Sequence, residues 1–315
     1  MAITASDVHI DVALSNISIG YQNEEYIADQ IFGHVPSDKQ SNKYYTWDKE
    51  MWFRNNVQIR APGSEYPEGD LKLSNTPFFC DIYHLGYPIN DEDVSNADAA
   101  IDLENTGADW LADQFMLNRE VQFVTDFFKT TVWDTDVAGT TDFVKWSDSA
   151  GSDPIADLIL GGQTIQKNTG KRPNTLVVGQ EVFDALAEHP DLLEKYKYTN
   201  VAILSKAQVA DAFRMPKLLI GSAIDNSAVE GAATPFVGEY LWPDRALLAY
   251  ISPTIGLRIA TAGLTFTWEI DGSGLTIPIQ RVREDRRGRT VLQARHAFDQ
   301  KAVGTDLGYF FDDVL

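Results

Sequence analysis

Residues 43–60, KYYTWDKEMWFRNNVQIR, and residues 71–89, LKLSNTPFFCDIYHLGYPI, flank a polar tip, RAPGSEYPEGD at 60–70. In the first flank Tyr45, Trp47, Met51 and Phe53 fall on one face of an extended chain, with Tyr44 and Trp52 on the other. The second flank repeats the pattern as far as Ile89. The pattern predicts a two-stranded ribbon whose strands, about 18 residues each, reach on the order of 60 Å. A ribbon of that length with apolar residues on both faces is marginal in water, so it demands cover from another surface.

The rest of the chain supplies ordinary material for a core. Its 315 residues suffice for one large domain or two modest ones, and 44% hydrophobic with 23% charged content is that of a water-soluble fold. There are 46 acidic residues against 26 basic ones, a formal charge of -20, which repels polyanions and disfavours nucleic acid as a gripped ligand. Cys80 is the single cysteine, which excludes an intrachain disulfide and a CxxC site. The opening MAITASDVHIDVALSNISIGY has neither the basic start nor the apolar block of a secretory signal, so the chain is expected to be cytosolic where it is made. The most apolar long window, ALLAYISPTIGLRIATAGLTFTW, is interrupted by Pro253 and Arg258 and reads as strands and not as a membrane span.

Residues 1–38 show no sustained period and suggest an arm laid along something else, the alternative being a disordered terminus. After the capping and turn residues of NDEDVSNADAAIDLENTG, the positions Trp110, Leu117, Val121, Val124 and Phe128 predict a helix of about 25 residues, with Glu120 on its solvated face. VWDTDVAGTTDFVKWSDSAGSDP reads as loop. From Ile155 helices and short strands alternate: IADLILGGQTIQKNTG helix, NTLVVG strand, QEVFDALAEH, DLLEKYKY and SKAQVADAFRM helices, KLLIGSA strand. Beyond Pro243 the chain is strand-rich, with GLTFTWEI, LTIPIQRV and RTVLQARHAF divided by the turns DGSG and DRRG.

Motifs of chemistry are mostly absent. GGQTIQKNTGK lacks the first glycine and the Ser or Thr of a phosphate loop and reads as a helix and its exit. Asp91, Asp93 and Ser95 stand at calcium-loop offsets, but Asn96 occupies the glycine position and Asp102 the glutamate position, and an acidic helix lead-in explains the same residues. His9, His34, His84, His189 and His296 are scattered, with no HxxxH or HExxH pair, and neither a GxSxG elbow nor a dinucleotide glycine pattern occurs. Arg281, Arg283, Arg286, Arg287, Arg289 and Arg295 crowd together in an acidic chain; carboxylates of a neighbouring subunit suit them better than a polyanion.

The order of these parts resembles the major capsid proteins of tailed bacteriophages. The likeness is carried by RAPGSE at the tip, LKLSNTPFFCDIYHLGYPINDEDVSNAD returning from it, VKWSDSAGSDPIADL, RPNTLVVGQEVFDALAEHPDLLEKYKY and the closing ARHAFDQKAVGTDLGYFFDDVL. It implies an α+β capsid fold: an N-terminal arm (1–40), an extended β-hairpin loop (41–92), a peripheral domain with a long spine helix (93–153), a mixed α/β axial domain (154–260) and C-terminal strands returning to the peripheral domain (261–315). It also implies a structural, non-enzymatic subunit without cofactor or metal, assembling as hexamers and pentamers into an icosahedral shell around double-stranded DNA that is not bound by sequence. No extra segment is read ahead of the arm, so a separate scaffolding protein is expected beside the portal and decoration proteins. The expected location is the virion capsid, assembled in the host cytoplasm, with no membrane contact. No motif assigns a cross-link between subunits.

On this reading the tip turns a ribbon that lies over an adjacent subunit. The expected assembly residues are Tyr45, Trp47, Met51, Phe53, Arg60 and Glu65 in the loop and Arg281, Arg283, Arg286, Arg287 and Arg289 near the C-terminus. Two other functions compete: an encapsulin-like nanocompartment shell on the same fold, and a small-oligomer soluble enzyme built on Ile155 to Ala223.

Overall fold

A computed structural model describes residues 23, 25–66, 68–96, 103–196, 203–229, 231, 232, 234, 236–256, 258–269 and 278–315. Most of the expected arm (1–22), Asp102 of the calcium-like loop and the DGSG turn at 271–274 lie outside these residues. In chain order the first half contains α1 (Ala28–Ile31), β1 (Gly33–Ser37), β2 (Ser41–Trp47), α2 (Lys49–Phe53), β3 (Leu73–Phe79), β4 (Asp81–Asn90), α3 (Asp91–Asn96), α4 (Leu103–Phe127) and β5 (Thr135–Ala138). Then follow α5 (Pro154–Thr169), β6 (Thr175–Gly179), α6 (Gln180–Ala187), α7 (Pro190–Lys195), α8 (Lys206–Phe213), β7 (Lys217–Gly221), β8 (Ile224–Asn226), β9 (Gly238–Tyr240), β10 (Ala246–Ala249), β11 (Gly263–Trp268), β12 (Ile279–Glu284), β13 (Arg289–Ala302) and β14 (Gly308–Asp312).

The alternating region forms where its local signals are strongest. Asp153 caps α5 by accepting from the N–H groups of Ile155 and Ala156, Pro154 opens the first turn, and Gly170 closes the helix in the left-handed conformation. Ser205 and Gln208 form a capping box on α8. The TLVVG run of β6 is buried throughout, as a central strand covered on both faces must be. These pieces build a sheet in the order β5-β14-β10-β6-β7, and Leu176, Val178, Leu247, Leu248 and Phe310 form its core with the surrounding helices.

The second sheet is organised by β13. One edge of this strand pairs antiparallel with β4 from Arg289↔Asn90 to Phe298↔Asp81, and the other pairs with β12 and then β11. β1 joins β11 in parallel. On one face of the sheet α4 contributes Leu111 and Phe115 to a cluster with Ile89, Leu292 and Ala294. On the other, Phe78, Cys80, Phe266 and Ala297 pack together, with the Phe78 and Phe266 rings stacked at 4.0 Å.

Several expectations change here, each for a local reason. The first ribbon strand stops at Trp47, because Asp48 caps the next turn through the Glu50 N–H and Lys49–Phe53 becomes helix. Met51 and Phe53 therefore do not continue the strand face of Tyr45 and Trp47. The returning segment divides at buried Cys80: β3 pairs with β2 from Ser41↔Phe79 to Trp47↔Leu73, whereas β4 belongs to the β13 sheet. The paired hairpin is thus about 20–25 Å long, not 60 Å. The loop reading of 132–153 misses β5, and the closing strand β14 enters the first sheet between β5 and β10 while β13 stays in the second.

The long helix has the expected 25 residues, about 37 Å, but buries a different stripe: Gly107, Leu111, Phe115, Arg119, Glu120, Phe123 and Phe127. Trp110 is 42% exposed. Glu120, expected in solvent, is fully buried. Its carboxylate accepts hydrogen bonds from the backbone N–H groups of Ile27 (3.1 Å) and Ala28 (2.8 Å) and from the Trp242 indole (2.8 Å). Beside it, buried Arg119 pairs with Asp29 and donates to His296, which burial and the guanidinium push down to a pKa of about 3 and so keep neutral. Residues 25–37 are consequently part of the body, with Phe32 edge-on to Phe123 and Phe127 at 5.0 and 5.2 Å.

Burial raises the Glu120 pKa above the ordinary carboxylate value, the three N–H donors opposing it. A carboxyl raised in the folded state adds stability as pH falls toward its unfolded-state value. Glu120→Gln leaves one of the N–H donors facing an amide N–H and is expected to cost about 1–3 kcal/mol at pH 7. In urea unfolding across pH 7 to 4.5 the gap between the two proteins should widen on acidification; a narrowing gap means that the ionised form is the favoured one.

Candidate assembly surface

The β2–β3 hairpin does not stand free of its own subunit at its far end. Lys49 Nζ reaches Asp306 Oδ2 at 2.6 Å, the Arg258 guanidinium lies 5.2 Å from the Trp47 ring centre, and the Phe53 ring rests on Gly170 at the end of α5. Trp47 and Trp52 meet edge to face at 6.4 Å. Of the loop residues singled out in the sequence, Trp47 and Met51 are half-buried, whereas Tyr45 and Phe53 are exposed despite these contacts.

Residues 54–66 and 68–72 are exposed throughout. Val57 is 88% exposed, Ile59 fully exposed and Tyr66 74% exposed, a concentration of apolar surface that isolated surface residues do not produce. Their tip is nevertheless built. Ala61, Pro62, Gly63 and Ser64 form a turn closed by Ser64 N–H donating to the Ala61 carbonyl at 3.1 Å, with Gly63 at φ 86°, which only glycine adopts freely. Arg60 donates to the Ser64 carbonyl at 2.7 Å and lies 4.2 Å from the centre of the Tyr66 ring. Glu65 is exposed at the same tip. Folding the tip in advance reduces the entropy lost when it docks.

The arginine group sits at the β12–β13 turn and is largely engaged within the chain. Arg281 pairs with Glu104 at the start of α4, and Arg283 holds Asp91 of α3 through both carboxylate oxygens at 2.5 and 2.6 Å, keeping that carboxyl below its usual pKa. Glu284 receives Arg289 at 2.7 Å and Arg287 at 3.6 Å. Arg286 is exposed and makes no ion pair among the described residues. The β12 arginines therefore clasp the sheet to α3 and α4, and Arg286 and Arg287 present charge outward. The sequence could not divide the group in this way, since the partners lie far from it along the chain.

A buried Ser152–His189 pair, 2.9 Å apart with Asp191 nearby, imitates a nucleophile and its base. The Asp191 backbone N–H donates to His189 Nδ1, so Nε2 carries the proton and donates to Ser152 Oγ, whose own proton goes to the Asp148 carbonyl at 2.7 Å. The hydroxyl is not activated; the pair staples the 148–152 turn to the start of α7. Among the described residues no group of three His, Cys, Asp or Glu side chains is placed to hold a metal, and no helix is long and apolar enough to cross a membrane.

Residues 134–250 match the family described as phage major capsid protein E. Over 311 residues the chain is 27% identical to the major capsid protein of Burkholderia phage BcepMu, covering 97% of this chain and 96% of that protein. Its fold is similar to a phage-related protein of Bordetella bronchiseptica RB50, with a TM-score of 0.70, 20% identity and 94% of each chain covered. The mature capsid of bacteriophage PhiM1 follows at 0.63 and 11% identity, over 97% of this chain and 92% of that one. The holo encapsulin complex of Synechococcus elongatus PCC 7942 shares the fold at 0.54 and 9% identity, over 100% and 97% of the two chains.

The exposed Lys49–Asp306 pair is expected to contribute less than about 1 kcal/mol to global stability. Lys49→Ala should leave the denaturant midpoint nearly unchanged but speed tryptic cleavage after Arg54 in the unassembled subunit; equal cleavage rates in the two proteins would show that the pair does not hold the hairpin down.

Proposed function

We infer that this chain is a bacteriophage major capsid protein, a structural subunit without catalytic activity whose copies build the shell of the virion. The similarity over nearly the whole length to a phage major capsid protein carries this reading, and the uncovered apolar surface of residues 54–72 gives it a mechanism. Val57, Ile59, Tyr66 and their neighbours gain little within one subunit. Laid over a second copy, each large apolar side chain would contribute roughly 1.5–3 kcal/mol. Repeated around a closed shell, such contacts sum to stability that no single interface possesses.

Finer points follow from the same reading. Hexamers and pentamers of one chain would form an icosahedral shell, with Tyr45, Arg60 and Glu65 of the loop and Arg286 and Arg287 of the β12–β13 turn meeting neighbours. A scaffolding protein, a portal and decoration proteins would complete the particle in the host cytoplasm. Packaged double-stranded DNA would be enclosed and not gripped, in keeping with a charge of -20. An encapsulin-like compartment is the second reading, supported by the shared fold alone. Particles from the native source decide between them: a DNA genome supports the first, a protein cargo the second.

Val57→Ser with Ile59→Ser removes apolar surface that touches nothing in the subunit. The expected result is a folded subunit with an unchanged unfolding midpoint and no closed particles by sedimentation or negative stain. Normal shells from this variant would place the loop outside the assembly contacts, and loss of the fold would place these side chains in the subunit's own core. Empty shells should retain little DNA at low salt; tight binding abolished by moderate salt would overturn the account of the charge.

A further inference from the structure

Glu120 is the one side chain whose hydrogen bonds reach both the start of α1 and Trp242 among the described residues, within a core that all three parts share. Its carboxylate is presented by the C-terminal third of α4, takes two N–H donors from the start of α1 and one from Trp242, four residues ahead of β10 of the first sheet. The segment around α1 is otherwise fixed to α4 by Tyr26 donating to Asp113 at 2.8 Å and by the Asp29–Arg119 pair. To the first-sheet side it is fixed by Lys217 donating to the Gln30 carbonyl and by Asn23, whose amide bonds both backbone groups of Ile224. Trp242 in turn is seated by Phe123 and Phe128, with ring centres 5.7 and 4.9 Å away, and by Gly221, where a Cβ would fall inside the indole.

Withdrawal of α1 removes two of the three donors from a fully buried anion. A carboxylate left with one donor in an apolar pocket is strongly disfavoured, so it must admit water or a proton, and either opens the seat of Trp242. Displacement of the indole likewise weakens the hold on Ile27 and Ala28.

We propose that Glu120 is a coupling latch through which movement of the arm base, residues 25–31, and movement of the Trp242 end of the first sheet become one event. The coupling itself is a property of the single subunit and is tested there, apart from any reading of the shell.

Hydrogen exchange on the full chain carries the test. Trp242→Phe keeps the ring stack but removes the indole donor; Tyr26→Phe loosens the arm base without touching Glu120 or Trp242. Coupling is reciprocal. The first change is expected to speed exchange at Ile27 and Ala28 about tenfold, and the second to speed exchange around 240–248, with α4 residues 105–118 unaffected in both. In Glu120→Gln, which keeps one accepting oxygen, both cross-effects should shrink, and in Glu120→Leu they should disappear. Effects confined to the side that was mutated, or cross-effects undiminished in both Glu120 variants, overturn the proposal. Should Trp242→Phe unfold the chain, Tyr26→Phe gives the same reading from the other side.

Discussion

One stretch of chain, residues 289–312, holds both sheets together. As β13 it is hydrogen-bonded along both edges, to β4 on one side and to β12 and β11 on the other; after a short turn, as β14, it lies between β5 and β10. The hairpin root and α4 both pack on the sheet that β13 organises. The positions of loop, long helix and mixed region relative to one another thus depend on two consecutive strands, each paired with partners far away in the chain.

That frame separates the surface into what the subunit satisfies alone and what it leaves to others. Buried charge is met internally: Glu120 and Arg119 each find several partners, as ions removed from water require. Apolar surface is not fully met, since Val57, Ile59 and Tyr66 stay exposed while the turn between them is already closed by Ser64 and Arg60. A rigid tip on an uncovered ribbon suits a subunit completed by sister copies.

Much of this was legible in the residues. The run from Ile155 to Gly170 reads as helix and the apolar TLVVG run as a short buried strand, because both signals act within a few residues; the cap supplied by Asp153 and Pro154, within the stretch read as loop, is seen only in the fold. The hairpin was legible as an uncovered element but not in its extent: alternation from Tyr45 to Phe53 looks continuous, and only the cap supplied by Asp48 turns Lys49–Phe53 into helix. Which face of α4 is buried was illegible because Arg119 and Glu120 lie in the buried stripe, and their partners Asp29, His296, Ile27, Ala28 and Trp242 are scattered through the chain. The arginine turn was visible as a cluster, but its division between internal clasp and outward charge depends on Glu104 and Asp91, which only the fold brings near.

The place of β14 also bears on the order of events at the ribosome. Its neighbours β5 and β10 are translated before it, yet β5 has no place beside β10 until Gly308–Asp312 emerges to lie between them. Closure of the first sheet therefore waits on β14, and sheets closed by such distant pairings form slowly.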